Sequence, residues 1–222
     1  SLLKFKNLVG YLLLASLLYS LNSFPSYFKY IYFLIPIVIV VKILLLKDLF
    51  SKKDFVIISN KKPLISWLYI MPSFLFLCLL PSVSGSYQPA LFISFFVLIW
   101  VNDSFAYLIG KNFGRHKLFR RVSPKKTFEG FFGGLLMAMI SGYVIFLITD
   151  MYTIIIWLVI ALIVGITGSL GDLVQSKFKR VAKVKDSGSI MPGHGGVFDR
   201  MDSTIFSITF VYTFLLIIEY VS

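Results

Sequence analysis

The feature that most constrains this 222-residue chain is a succession of apolar runs, each about as long as one membrane crossing. A spanning helix needs roughly 20 predominantly apolar residues, and about seven runs approach that length. They fall near residues 2–21, 30–46, 64–83, 89–109, 131–149, 152–170 and 203–221. In hydrocarbon a segment must satisfy its own backbone polar groups, so such runs have to be helical. A chain that is 58% hydrophobic and 14% charged holds more apolar mass than one soluble core of its size can bury. Disorder is excluded too, because it requires low hydrophobicity and this chain has 23 Phe. The expected fold is all-α, a polytopic membrane bundle of about seven transmembrane helices. Residues 1–85 read as N-terminal transmembrane helices and 86–222 as a catalytic core. The chain opens at Ser1 rather than Met, which is read as processing or N-terminal trimming.

The charge is the second constraint. There are 22 Lys and Arg against 10 Asp and Glu, a net charge of +12. With the N-terminus placed in the cytoplasm, every basic residue except Lys29 falls on the cytoplasmic side. The opposite connections, residues 81–88 and the turn at Asp150-Met151, carry no Lys or Arg. The positive-inside rule therefore predicts a cytoplasmic N-terminus and an outside C-terminus. Lys42, the lysines from Lys47 to Lys62, Lys177 and Lys183 are assigned to the solvated or headgroup-facing surface. The single cysteine, Cys78, lies in an apolar run and has no partner for an intrachain disulfide.

Orientation alone does not explain two long cytoplasmic segments, near residues 111–130 and 171–202, which mix bases with acids and glycines. Aspartates 172, 186, 199 and 202 fall in the second. If the sixth helix continues past Gly171, then Asp172, Ser176 and either Lys179 or Arg180 share one face. Asp172 and Asp199 then sit at adjacent ends of consecutive antiparallel helices. Facing carboxylates among basic residues suit a hard cation that carries phosphate oxygens. The competing reading of each aspartate is an interfacial residue paired with a nearby Lys or Arg; for Asp103 the partners would be Lys111 or Arg115. The glycines around His194 permit close backbone approach to an oxyanion, and no His/Cys set for zinc is present.

Ser176-x-Phe178-Lys179-Arg180, then Lys185-Asp186-x-Gly188, then Pro192-x-His194-Gly195-Gly196-Val197-x-Asp199-Arg200-Met201-Asp202 resembles the signature of phosphatidate cytidylyltransferases, also called CDP-diacylglycerol synthases. The stretches Asn102-Asp103-Ser104-x-Ala106-Tyr107, Gly110-Lys111-x-Phe113-Gly114-Arg115-His116 and Ser123-Pro124-Lys125-Lys126-Thr127-x-Glu129-Gly130 resemble a second conserved region of that family. The resemblance covers roughly residues 100–202.

It implies transfer of the cytidylyl group from CTP to phosphatidate, giving CDP-diacylglycerol and pyrophosphate. A phosphomonoester is largely dianionic at neutral pH, so this nucleophile needs positioning and charge neutralisation more than a strong base. Asp172 and Asp199 are the first candidates for metal ligands and catalytic residues, followed as ligands by Asp103 and Asp202. Lys185 and Arg200 join the catalytic set. Substrate-binding candidates are Ser123, Lys125, Lys126, Ser176, Lys179, Arg180, His194, Gly195 and Gly196, although capping or an ordinary polar helix face competes for the two serines. The expected cofactor is Mg2+, with a second cation, divalent or K+, as an option. Expected partners are CTP, phosphatidate, membrane lipids and a second copy of the chain in a homodimer, with no nucleic acid. The expected location is a bacterial inner membrane with the site facing the cytoplasm.

Two alternatives keep the nucleotide and change the lipid: a CDP-archaeol synthase, or a CTP-dependent polyprenol kinase that transfers the γ-phosphoryl group. A third, of another class, is an ion-coupled transporter, since an intramembrane Asp103 and helix glycines near Gly165, Gly168 and Gly171 also occur in ion pathways.

Overall fold

The computed structural model describes residues 32–51, 56–184, 187–188 and 196–221, with residues 56–66 and Val197 through the backbone alone. The chain is mostly helical. Helices α1 (Leu34–Phe50) and α2 (Val56–Leu79) are followed by a 3-10 turn at Leu80–Ser82 and by α3 (Pro89–Phe113). A short hairpin of β1 (Lys117–Phe119) and β2 (Ser123–Thr127) leads into α4 (Phe128–Ile148). Next come α5 (Ile154–Val181), a 3-10 turn at Val197–Arg200 and α6 (Asp202–Val221).

Four helices, α3, α4, α5 and α6, are long and apolar enough to cross a membrane. The first expected pass, 2–21, lies outside the described residues. Helix α1 is only 17 residues long and carries Lys42, Lys47 and Asp48. The apolar part of α2 runs from Trp67 into the 3-10 turn at Ser82. Among the described residues, then, four of the expected passes have helices of full spanning length and hydropathy.

The all-α expectation needs one correction. The segment between α3 and α4 folds into an antiparallel hairpin, with Lys117 opposite Thr127 and Phe119 opposite Ser123. Pro124 fits there because a two-stranded ribbon leaves one side of each strand without a ladder partner. Thr127 ends the hairpin and caps α4, its hydroxyl accepting from the Gly130 N–H at 3.2 Å.

Two buried clusters hold the bundle. One runs along the helices and includes Phe76, Leu98, Trp157, Ile160, Val164, Ile208 and Tyr212, with Phe76 and Tyr212 stacked at 5.2 Å. The other lies at the hairpin end and joins Leu45, Leu49, Tyr69, Val122, Leu173, Val174, Ile205 and Phe206. Close approach there depends on Gly171. A Cβ at that position would run into Phe206 Cβ and lie 2.8 Å from the Asp202 carbonyl. The small residue lets α5 press against the first turn of α6, as small residues do between membrane helices.

Two lysines expected at the surface are buried. Lys42 is 0% exposed and shares the inward face of α1 with Val38, Leu45 and Leu49. Its ammonium donates to Ile205 O at 2.7 Å, Phe206 O at 2.9 Å and Thr209 Oγ1 at 2.5 Å. Lys177 is 5% exposed and donates to Asp48 O. Arg121, from the hairpin turn, donates to Leu49 O and Ser51 O. The last carbonyls of a helix lack intrahelical donors and carry partial negative charge, so Lys177 and Arg121 cap the end of α1. These contacts, with Phe50 edge-on to Phe119 at 5.7 Å, fasten α1 to the hairpin and to the end of α5.

Candidate active site

Helix α5 continues through Gly171 to Val181, as one reading of the sequence required, and so displays Asp172 and Ser176 on one face. At about 1.5 Å per residue, Asp172 stands roughly 27 Å along α5, near the far boundary of a hydrocarbon layer about 30 Å thick. Ser176 Oγ donates to Asp172 Oδ1 at 3.2 Å. Lys126, at the end of the hairpin, reaches Asp172 Oδ2 at 2.7 Å and also donates to Ser169 O at 3.2 Å. A residue expected to hold phosphate is thus the direct partner of the leading carboxylate.

Asp103 projects from within α3, ten residues before its end. Its oxygens accept from Asn102 Nδ2 and from Ser203 Oγ, each at 3.1 Å. The expected alternative partners do not appear, and Lys111 instead stands 6.0 Å over the Tyr107 ring. Asp202 opens α6, where Oδ1 accepts the Ser203 N–H at 2.7 Å. It lies within electrostatic range of Asp172, Asp103 and Lys126. Three helices and the hairpin therefore bring three carboxylates and one ammonium to the same end of the bundle.

Asp199 stands differently. Lys179 Nζ at 3.0 Å and Gln175 Nε2 at 3.4 Å reach Oδ1, while the Ser187 N–H, the Ser187 hydroxyl and the Gly196 N–H reach Oδ2 at 2.8, 2.8 and 2.9 Å. Burial pushes this carboxyl up, but the backbone donors of Gly196 and Ser187, the Lys179 ammonium and the Ser187 hydroxyl outweigh it and hold it well below the usual carboxylate range. Gly196 is needed for this closure, since a Cβ there would lie 2.7 Å from Ser187 Oγ and 2.9 Å from the Gly188 nitrogen. Asp199 and Lys179 thus tie Ser187 and Gly196 to α5.

Of the other candidates, Ser123 is half-buried in β2, and Lys125, Arg180 and Arg200 are exposed. Arg180 Nε makes a long contact of 3.5 Å to Val122 O. Lys185, His194 and Gly195 lie outside the described residues. Glu129 and His116, quoted in the sequence pattern, close the base of the hairpin: the Glu129 carboxylate meets His116 Nδ1 at 2.6 Å and accepts the His116 backbone N–H at 3.1 Å.

Sequence reasoning missed Ser203 and Gln175. Ser203 carries a weak signal, a short hydroxyl residue beside an aspartate at the start of an apolar run. Gln175 carries a weaker one, three residues after Asp172 on the extended helix, where its amide holds Phe198 O at 2.9 Å.

The acidic centre fits Mg2+. Among the described residues no three carboxylate, His or Cys side chains converge as a ready-made cage, and this ion is usually held by one or two carboxylates, with phosphate oxygens and water completing its shell. Asp103 and Asp172 each accept two side-chain donors and Asp202 one backbone donor. That count leaves acceptor lone pairs on every carboxylate.

The sequence pattern of the cytidylyltransferase family matches residues 3–218. Proteins named phosphatidate cytidylyltransferase are similar to this chain. One from Staphylococcus saprophyticus is 48% identical over 113 residues, which are 50% of this chain and 43% of that protein. One from Staphylococcus haemolyticus is 48% identical over the same length. One from Bacillus subtilis is 46% identical over 120 residues, 54% of this chain and 45% of the relative. The matches thus span less than half the length of these relatives.

Proposed function

The chain belongs to the cytidylyltransferase family, and from that premise we propose that it transfers the cytidylyl group of CTP to phosphatidate, releasing pyrophosphate and forming CDP-diacylglycerol. The observation that carries this reading is that Asp172, Asp103 and Asp202, from three different helices, lie within electrostatic range at one end of the bundle, with Lys126 bonded to Asp172 at 2.7 Å. The activity for which the relatives are named supports the choice of substrates.

Asp172, Asp103 and Asp202 are the residues that would hold Mg2+, whose chemistry is to neutralise triphosphate charge and stabilise the departing pyrophosphate. Asp199 supports the reading in another role, by tying Ser187 and Gly196 to the end of α5 through Lys179. Lys126 holds the Asp172 carboxylate and the Ser169 carbonyl and offers its remaining proton to an arriving phosphate. Arg180 and Arg200, both exposed, are suited to grip phosphate oxygens bidentately. The phosphatidate oxygen attacks the α-phosphorus of CTP and the bond to the β-phosphate oxygen breaks; an already ionised nucleophile needs no dedicated base. Lys185 and His194 complete the proposed set.

The reading extends to an active site on the cytoplasmic face of a bacterial inner membrane, about seven spans with the N-terminus inside, and a homodimer. It is tested with purified protein, phosphatidate, Mg2+ and labelled CTP. Label in the α-phosphate is expected to enter lipid and label in the γ-phosphate to leave as pyrophosphate. Entry of the γ label into lipid would replace this reading with a kinase.

A further inference from the structure

Tyr69 stands on α2, outside the stretch that carries the family resemblance, yet its ring lies against both helices that form the acidic centre. Its centroid is 6.3 Å from Phe178 on α5 and 6.3 Å from Phe206 on α6. Phe206 is one helical turn beyond Asp202. The Tyr69 side chain is 2% exposed, and its hydroxyl has no hydrogen-bond partner among the described residues. Leaving a buried donor unmatched is unfavourable, and phenylalanine would fill the same apolar space without that cost. Packing alone therefore does not account for the hydroxyl.

The neighbours narrow its use. Lys42 stands 5.8 Å over the Tyr69 ring, but an ammonium cannot accept, and this one donates to Ile205, Phe206 and Thr209. Ser73 binds the Tyr69 backbone carbonyl and leaves the phenol untouched. Among the described residues, the acidic group within electrostatic reach of the hydroxyl is Asp202. With an ordinary pKa of about 10, a phenol is protonated at neutral pH and serves as a donor. Its acceptor should be an oxygen that arrives beside Asp202, and ligand phosphate is the anionic group the proposed reaction brings there.

We propose that Tyr69 is a substrate-positioning residue whose hydroxyl donates a hydrogen bond to a phosphate oxygen held beside Asp202. The role rests on the cytidylyltransferase reading. It gives an N-terminal helix a direct part in the site and requires no proton transfer. The phosphate belongs either to CTP or to phosphatidate, and kinetics separate the two.

The test is Tyr69→Phe in the full chain, assayed for transfer of α-labelled cytidylyl to phosphatidate with each substrate varied in turn, well below the melting temperatures of both proteins. Loss of one hydrogen bond to an anion predicts a fall in kcat/KM of about 10-fold or more for the substrate that supplies the phosphate, with a smaller effect on the KM of the other and no drop in Tm. Kinetics equal to wild type would overturn the role of Tyr69 while leaving the activity standing. An equal loss for both substrates that tracks a lower Tm would overturn it in favour of packing. A wild-type protein that transfers no label would overturn the activity, and the role with it.

Discussion

The Ser203 hydroxyl donates to Asp103 Oδ2 at 3.1 Å, tying the first turn of α6 to the interior of α3. The same residue's backbone N–H holds Asp202 Oδ1 at 2.7 Å, so one serine sets the relation between two of the three carboxylates. Ser203→Ala should keep the backbone contact and lose the link to Asp103. A hydrogen bond to a charged acceptor is worth about 1.5–3 kcal/mol. Cytidylyl transfer is expected to fall about 10-fold or more, at 1.4 kcal/mol per decade, and Ser203→Thr should recover most of it. Full activity in the alanine protein would show that Asp103 needs no such anchor.

Asp172→Asn and Asp199→Asn should fail in different ways, because Asp172 keeps lone pairs free for a cation while Asp199 is committed to five protein donors. For Asp172→Asn the expected result is a loss of about 10²-fold or more in kcat, with a raised Mg2+ requirement. For Asp199→Asn the Mg2+ requirement should stay near wild type, and amide exchange at Ser187 and Gly196 should quicken. Matching Mg2+ titrations for the two proteins would return Asp199 to the metal site.

The acidity of Asp199 has a consequence for pH. Its carboxyl is held below the ordinary value of about 3.9, so its folded form binds fewer protons than its unfolded form in the intervening range. Its contribution to stability is fully present above the unfolded pKa and is lost as pH falls through the lower folded value. Exchange protection of the Ser187 and Gly196 amides should therefore be flat from about pH 7 to pH 5 and collapse only in stronger acid. A midpoint between pH 5 and 6, monitored by the same amides, would contradict the arrangement.

The acids were legible in the sequence because they break long apolar runs, and an acid in hydrocarbon demands an explanation. The continuation of α5 past Gly171 was legible only as a condition, since Ser176 to Val181 turns polar just where hydropathy stops reporting on helix length. The hairpin was not legible: five residues with Pro124 among them show no alternation, and its register depends on Glu129 meeting His116 and Arg121 meeting α1. Lys42 and Lys177 were assigned to the surface because a lysine's partners are invisible in one dimension. Their acceptors are backbone carbonyls, which leave no mark on composition.

Lys42 tests how the bundle tolerates a buried cation. Among the described residues its ammonium has no acidic hydrogen-bond partner and relies on two helix carbonyls and one hydroxyl, with the Phe206 and Phe210 rings 5.4 and 5.7 Å away. Burying a charge costs several kcal/mol, and three charge-assisted bonds of about 1.5–3 kcal/mol each return a similar amount. Met has nearly the same length, and the freed carbonyls belong to a helix that supplies its own donors. Lys42→Met is therefore expected to fold with a Tm within a few degrees of wild type. Lys42→Glu would set a carboxylate against two carbonyl oxygens in the same space, and the folded protein should not be recovered. Collapse of the Met protein as well would mean that the ammonium contributes far more than its burial costs, and α1 would then be anchored to α6 chiefly by charge.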